Sequence, residues 1–141
     1  MGYNTPSFRS RLNTTLHRAF EAEQYYYDNH NVYSIPSWIL NLSGEKRLLN
    51  KLKHSIWLSG NLRFTSRTLN RANSRIPGSE DFYLNGYTLL DLRLKYNYNN
   101  HIDFSLDCDN VFNTSYEIGG TSYFPYKYLG RNVMATVSFK L

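Results

Sequence analysis

Alternation of apolar and polar residues is the strongest pattern along the chain. From Leu90 to Tyr98, the residues Leu90, Leu92, Leu94, Tyr96 and Tyr98 alternate with Asp91, Arg93, Lys95 and Asn97. Successive side chains of a strand point to opposite faces, so a period of two predicts a strand with one apolar and one polar face. Ile102, Phe104, Leu106 and Cys108, set against Asp103, Ser105, Asp107 and Asp109, predict a second. Val133, Ala135, Val137, Phe139 and Leu141 predict a third, with Met134 discordant on the other side. Upstream, His54, Ile56, Leu58, Gly60, Leu62 and Phe64 line one side of a further strand, and Trp38, Leu40 and Leu42 a shorter one. Between Arg11 and Glu23, the spacing of Leu12, Leu16 and Phe20 suits a strand or a helix alike.

The connections alternate too. Asn99-Asn100 is a tight link of residues that tolerate positive φ, as hairpin turns require, and Glu45 to Lys51 reads as a second short connection. Tyr25–Pro36, Arg67–Gly86 and Asn113–Gly130 are long and polar. Short turns on one rim and long loops on the other are the asymmetry of transmembrane β-barrels. Runs of about 9–13 residues also match the roughly 9–11 that cross a bilayer at a tilt. Tyr83, Tyr87, Tyr96, Tyr98, Tyr123, Tyr126 and Tyr128 flank the apolar stretches, where a ring with a water-seeking hydroxyl suits the headgroup level. Arg63, Asp91, Arg93, Lys95, Asp103, Asp107 and Lys140 share the other face, which suits a wet lumen with cross-strand ion pairs. The expected fold is all-β: an antiparallel meander of about five or six strands, a stretch of transmembrane barrel wall that is not closed. A soluble antiparallel sheet with one solvated face alternates in the same way.

Composition narrows the function classes. The 141 residues amount to one domain or a piece of one. A chain 16% aromatic and only 19% charged is neither a coiled coil nor a charge-rich disordered segment. No apolar run exceeds three residues, which excludes a transmembrane helix and leaves no secretory signal peptide in this chain. A net charge of +5 and a pI near 9.3 raise nucleic acid or an anionic membrane as partners. The cations are nevertheless scattered, and the densest piece, Glu45 to Lys53, reads as a solvated turn. Cys108 is alone, and His17, His30, His54 and His101 never stand at metal-ligand spacing, so neither a disulfide within the chain nor a metal or other cofactor is expected. Asp103, Asp107 and Asp109 lack the glycine and distal glutamate of a calcium loop and read as lumen or rim charges. No nucleophile triad, hydrolytic carboxylate pair or phosphate loop is present as a motif, so the chain is not expected to be an enzyme.

Four ordered segments carry a resemblance. The run Asp109-Asn110-Val111-Phe112-Asn113-Thr114-Ser115-Tyr116-Glu117, followed after a loop by Gly130-Arg131 and an alternating final strand through Phe139 to Leu141, resembles the ending of TonB-dependent outer-membrane receptors. Gly86-Tyr87-Thr88-Leu89-Leu90-Asp91-Leu92-Arg93 resembles an upstream strand opening of that family, and Ile35-Pro36-Ser37-Trp38 an earlier x-Pro element. The likeness covers residues 35–141, a barrel segment; residues 1–34 form an N-terminal strand and loop that fit it only loosely. Leu141 stands where the family usually ends on phenylalanine, the residue read by the barrel-assembly machinery.

The resemblance implies a plugged barrel of about 22 strands. Such receptors take up scarce nutrients such as siderophores or cobalamin, driven by the TonB complex through a segment ahead of the plug. This chain is then expected to be a C-terminal fragment in the outer membrane of a Gram-negative bacterium. It would lie among outer-membrane lipids, reach the TonB complex only through the missing N-terminal part, bind no nucleic acid, and not transport alone. Asn110, Phe112, Tyr116, Gly130, Arg131, Phe139 and Leu141 take architectural and assembly roles. Gly130 admits the backbone to the last strand, Arg131 sits at the rim with or without a carboxylate, Asn110 bonds backbone, and Tyr116 anchors at the interface. Arg67, Arg71 and Arg75 in a polar loop are the ligand-contact candidates. The alternative is a small soluble all-β module that stacks single-stranded nucleic acid on tyrosines; a small outer-membrane protein closing its barrel by oligomerising is a third reading.

Overall fold

The computed structural model describes residues 2–17, 27–28, 31–32, 34–70, 80–120, 125–128 and 130–140. Seven strands form one antiparallel sheet: β1 (Gly2–Asn4), β2 (Phe8–Leu16), β5 (Trp38–Lys51), β6 (His54–Thr65), β9 (Tyr87–Tyr98), β10 (Ile102–Asp109) and β13 (Asn132–Phe139), in that spatial order. Each strand pairs with the next one of the sheet along the chain, so the sheet is a meander, and β1 and β13 are its two open edges. Three two-stranded ribbons complete the fold: β3 (Tyr27–Asp28) with β4 (Asn31–Val32), β7 (Thr68–Asn70) with β8 (Phe82–Leu84), and β11 (Glu117–Gly120) with β12 (Pro125–Lys127). No helix occurs among the described residues.

The N-terminal region is where sequence periodicity left two templates open. Leu12 and Leu16 lie on β2, where they face the same side as Leu42 and Trp38 of β5; Phe20 lies outside the described residues. A spacing of four is even, so it fits a strand as well as a helix, and pairing with β5 decides. β1 and β2 bring the sheet to seven strands, more than the five or six expected.

Turns and loops separate to opposite rims. Residues 5–7, 52–53 and 99–101 make short turns on one rim, and each long connection on the other carries one of the ribbons. Asn99 and Asn100 both take positive φ, as their residue type predicts. The expectation of a solvated turn from Glu45 to Lys51 is overturned. These residues continue β5 to its end, and the register slips between Arg47 and Leu49. A bulge adds one residue to one strand, so the apolar side passes from Lys46 to Leu49 and the period of two breaks. The hairpin turn is Leu52-Lys53, with Leu52 at φ 47. A leucine there costs about 1–2 kcal/mol relative to a glycine free to adopt that conformation. Leu52→Gly is therefore expected to stabilise the folded chain by about 1 kcal/mol in urea unfolding from detergent micelles.

Cross-strand register sorts the sheet into two faces. Leu12, Leu42, Leu62 and Leu90 fall in one row, with Lys46, Leu58, Leu94, Leu106 and Ala135 in another and Leu49, Ile56, Tyr96, Phe104 and Val137 in a third. The opposite face carries the sheet's described carboxylates and most of its cations. Nothing in the described structure covers the apolar side: Leu42 is 44% exposed and Leu106 41%. Among the described residues, only Leu69, Leu84 and Leu89 are buried apolar side chains, all at the loop-side end. Among the described residues, Leu89 is thus the buried apolar side chain that the seven-stranded sheet itself contributes.

Candidate functional site

A charged trough occupies the polar face. It holds ≈ 830 Å³ and is walled by Arg9, Arg11, Glu45, Asp91, Arg93 and Lys95, among others, with residues of β1, β2, β5, β6, β9 and β10 contributing. Register places Arg9, Glu45, Ser59, Arg93 and Asp107 side by side across five strands. The row alternates in sign, and its members bond: Arg9 approaches Glu45 at 4.0 Å, and Ser59 Oγ donates to Glu45 Oε1 at 3.4 Å. Arg93 Nε donates to Asp107 Oδ1, and Ser105 Oγ donates to Asp107 Oδ2 at 3.2 Å. Nearer the turns, Asp103 accepts from Asn97 Nδ2 at 2.8 Å and pairs with Lys140 Nζ at 2.9 Å. Asp109 is 3.5 Å from Asn132 Nδ2. Each aspartate of that series thus has its own polar neighbour.

The loop-side rim holds a second constellation, built on the asparagine-rich corner that leaves β10. Asn110 is 5% exposed with φ 51, a conformation that asparagine tolerates better than most residues. Its Oδ1 accepts from the Thr114 N–H at 2.9 Å, and its Nδ2 donates to the Thr114 carbonyl at 2.8 Å. Its own N–H donates to Asp91 Oδ1 at 2.9 Å, while Thr114 Oγ1 donates to the Thr88 carbonyl at 3.1 Å. The corner is thereby tied to the start of β9. Asn113, also at positive φ, reaches the other way: its Oδ1 accepts from the Arg131 N–H at 2.9 Å. A Cβ on residue 130 would run into that oxygen, so any side chain there would push the Asn113 amide off its bond to the Arg131 N–H. One pentapeptide, Asn110 to Thr114, locks three strands together at the rim.

Other predicted residues fall around this clasp. Tyr116 stacks between Tyr87 (4.3 Å between ring centroids) and Tyr128 (5.1 Å). Burial pushes its hydroxyl above the ordinary phenol range, and the neighbouring Tyr87 and Tyr128 act in the same direction. Arg131 is exposed and pairs with no described carboxylate; its backbone rather than its guanidinium does the bonding. Phe112 and Phe139 are exposed, Phe139 on the apolar face beside Ile102. Arg67 lies 4.6 Å over the Tyr83 ring, so stacking holds it at the loop rim. Arg71, Arg75 and Leu141 lie outside the described residues. Beneath the loops, a cavity of ≈ 120 Å³ is bordered by Ser34, Thr65, Asn70, Tyr87 and Glu117.

Sequence reading did not single out Asp91, Thr114 or Arg9 as partners, or Asn113 as the residue that demands Gly130. The Asn113 pairing spans a long loop, which no local pattern reports. The regular Arg–Asp and Arg–Glu alternation across strands was detectable only once the register was known. No protein-family model, curated protein or solved structure matches this chain.

Proposed function

We propose that this chain is the C-terminal wall segment of a TonB-dependent outer-membrane receptor, whose parent binds and takes up a scarce nutrient such as a siderophore or cobalamin. The observation that carries the membrane part of this reading is that the charged face lines the trough while the leucine face stands uncovered. Soluble barrels and sandwiches turn their apolar face inward to make a core. Among the described residues, this sheet instead leaves its leucines exposed, the arrangement favoured when the surroundings are hydrocarbon.

The dimensions agree. On the apolar face, Trp38 and Phe64 stand at the loop-side end, while His54, Tyr98 and Phe139 stand at the turn-side end, with mainly aliphatic rows between. Phe64 and His54 are ten residues apart on β6. At about 3.3 Å per residue and a tilt of about 40°, they are separated by about 25 Å along the membrane normal, the height of a barrel's apolar band.

The receptor assignment rests on the Asn110–Tyr116 and Gly130–Arg131 segments together with the Gly86–Arg93 strand opening. The clasp gives those segments a physical purpose, holding the last two strands to β9 where loops begin. Seven strands leave two open edges, so the remaining wall and the plug would come from the rest of the receptor, and this chain alone would not transport.

Neighbouring residues on opposite faces give the test. Leu62→Arg is expected to cost about 2 kcal/mol of insertion into phosphatidylcholine vesicles, because it sets a charge in the apolar band. Asn61→Arg, one residue away on the trough side, is expected to change insertion little. A chain that stays monomeric in water without detergent, with both variants behaving alike, would overturn the membrane reading. Genomic sequence upstream that encodes neither plug nor further barrel strands would remove the receptor assignment and leave the membrane reading standing.

A further inference from the structure

The charges on the apolar face are few and one-sided. Among the described residues, the formal charges on that face are Lys46 and Lys51, both on the turn-side half of β5; no described Asp or Glu lies there. Lys51 stands directly across from His54, whose Nδ1 lies 2.8 Å from the Tyr96 hydroxyl. Lys53 follows at the hairpin tip, and its carbonyl accepts from the Asn99 N–H at 2.6 Å, which joins this tip to the neighbouring β9–β10 turn. Between the two lysines, Leu52 is 107% exposed at positive φ, and Leu48 at the bulge is 52% exposed. The chain thus presents a Lys-Leu-Lys tip with an apolar side chain extended between two cations, beside a belt of Tyr96, Tyr98 and Phe104.

We propose that this turn-side tip is an anionic-phospholipid contact, with Lys51 and Lys53 taking the phosphodiesters of lipids such as phosphatidylglycerol. Leu52 and Leu48 enter the acyl boundary. Long lysine stems lie along apolar surface while the ammonium reaches the headgroup level, so Lys51, level with His54 at the edge of the apolar band, meets the phosphates without residing in hydrocarbon. Each cation near an anionic surface strengthens association about fivefold, and the attraction is screened by salt. The absence of carboxylates from the described part of this face means that no acid on it competes for Lys51. The exposed Leu52, held in a conformation that glycine would adopt more cheaply, has a use only if something apolar receives it. This inference rests on the membrane reading above and adds a lipid class and a rim to it.

The test uses the full chain, folded in detergent micelles and transferred to vesicles of phosphatidylcholine alone or mixed with phosphatidylglycerol, with flotation reporting the bound fraction. The native chain is expected to favour the mixed vesicles by about tenfold or more at low salt and to lose that preference at high salt. K51Q/K53Q should bind phosphatidylcholine as the native chain does and show no preference for the mixture. R67Q/K127Q, which removes charge from the opposite rim, should retain the preference. Equal binding of the native chain to both vesicles, or a preference that survives in K51Q/K53Q or is lost in R67Q/K127Q, would overturn the proposal. Failure of the native chain to bind either vesicle would instead remove the membrane reading itself.

Discussion

Asn110→Ala is expected to destabilise the folded chain by about 3 kcal/mol. The Asn110 amide satisfies both backbone groups of Thr114, at 2.9 and 2.8 Å, in a corner where Asn110 is almost wholly buried. Alanine leaves a sheltered N–H and carbonyl with weaker partners, at about 1–3 kcal/mol for an unsatisfied group. It must also hold φ 51 without the local hydrogen bonding that makes asparagine tolerant there, which adds about 1 kcal/mol. Asn110→Gly separates the two contributions: the backbone cost disappears and the lost bonds remain, so glycine should fall between asparagine and alanine. Urea titrations of the three proteins in the same micelles give that order. Alanine equal to asparagine would mean that the corner is held by the Asp91 and Thr88 bonds instead.

Arg93→Met is expected to cost about as much, roughly 3 kcal/mol, because it strands a carboxylate. The two partners are unequally exposed: the Asp107 side chain is 9% accessible and that of Arg93 59%. Removing the arginine leaves the sheltered acid with only Ser105 as a donor among its described contacts. Removing the acid, by Asp107→Asn, leaves a guanidinium that water can reach, and the loss should stay near 1 kcal/mol. The asymmetry is the result to look for. A double substitution, R93M/D107L, should recover much of the loss if the charge pair itself adds little net stability. Equal costs for the two single variants would show that Asp107 is solvated through the trough.

Both predictions concern contacts that the sequence announced only in part. Asp107 and Arg93 stood out as polar residues on one face, since strict alternation on β9 and β10 assigns faces without any structure. Their pairing required the register, Asp107 opposite Arg93, which follows from how the three-residue turn at 99–101 closes. Asn110 and Gly130 stood out through the family-like motif, but the need for glycine comes from Asn113 lying across it, seventeen residues earlier in the chain. At the bulge in β5, local pattern misled outright. One inserted residue turned a continuing strand into an apparent turn, because a period of two cannot survive a slip of one.

What the sequence determined by itself was the strand type, the two faces and the alternation of short and long connections. These are properties of neighbouring residues: side chains two apart share a face, and Asn-Asn tolerates the φ of a tight turn. Only the tertiary structure decided that Phe8–Leu16 is a strand, that seven strands join in one open sheet, and that a trough lies on its charged side while its leucines stay exposed. Those outcomes depend on pairing partners distant in sequence and on the coiling of strands against one another. A one-dimensional pattern gives the same alternation to a sheet that hides its leucines and to one that displays them. The exposure of Leu42 and Leu106 puts this sheet with the second.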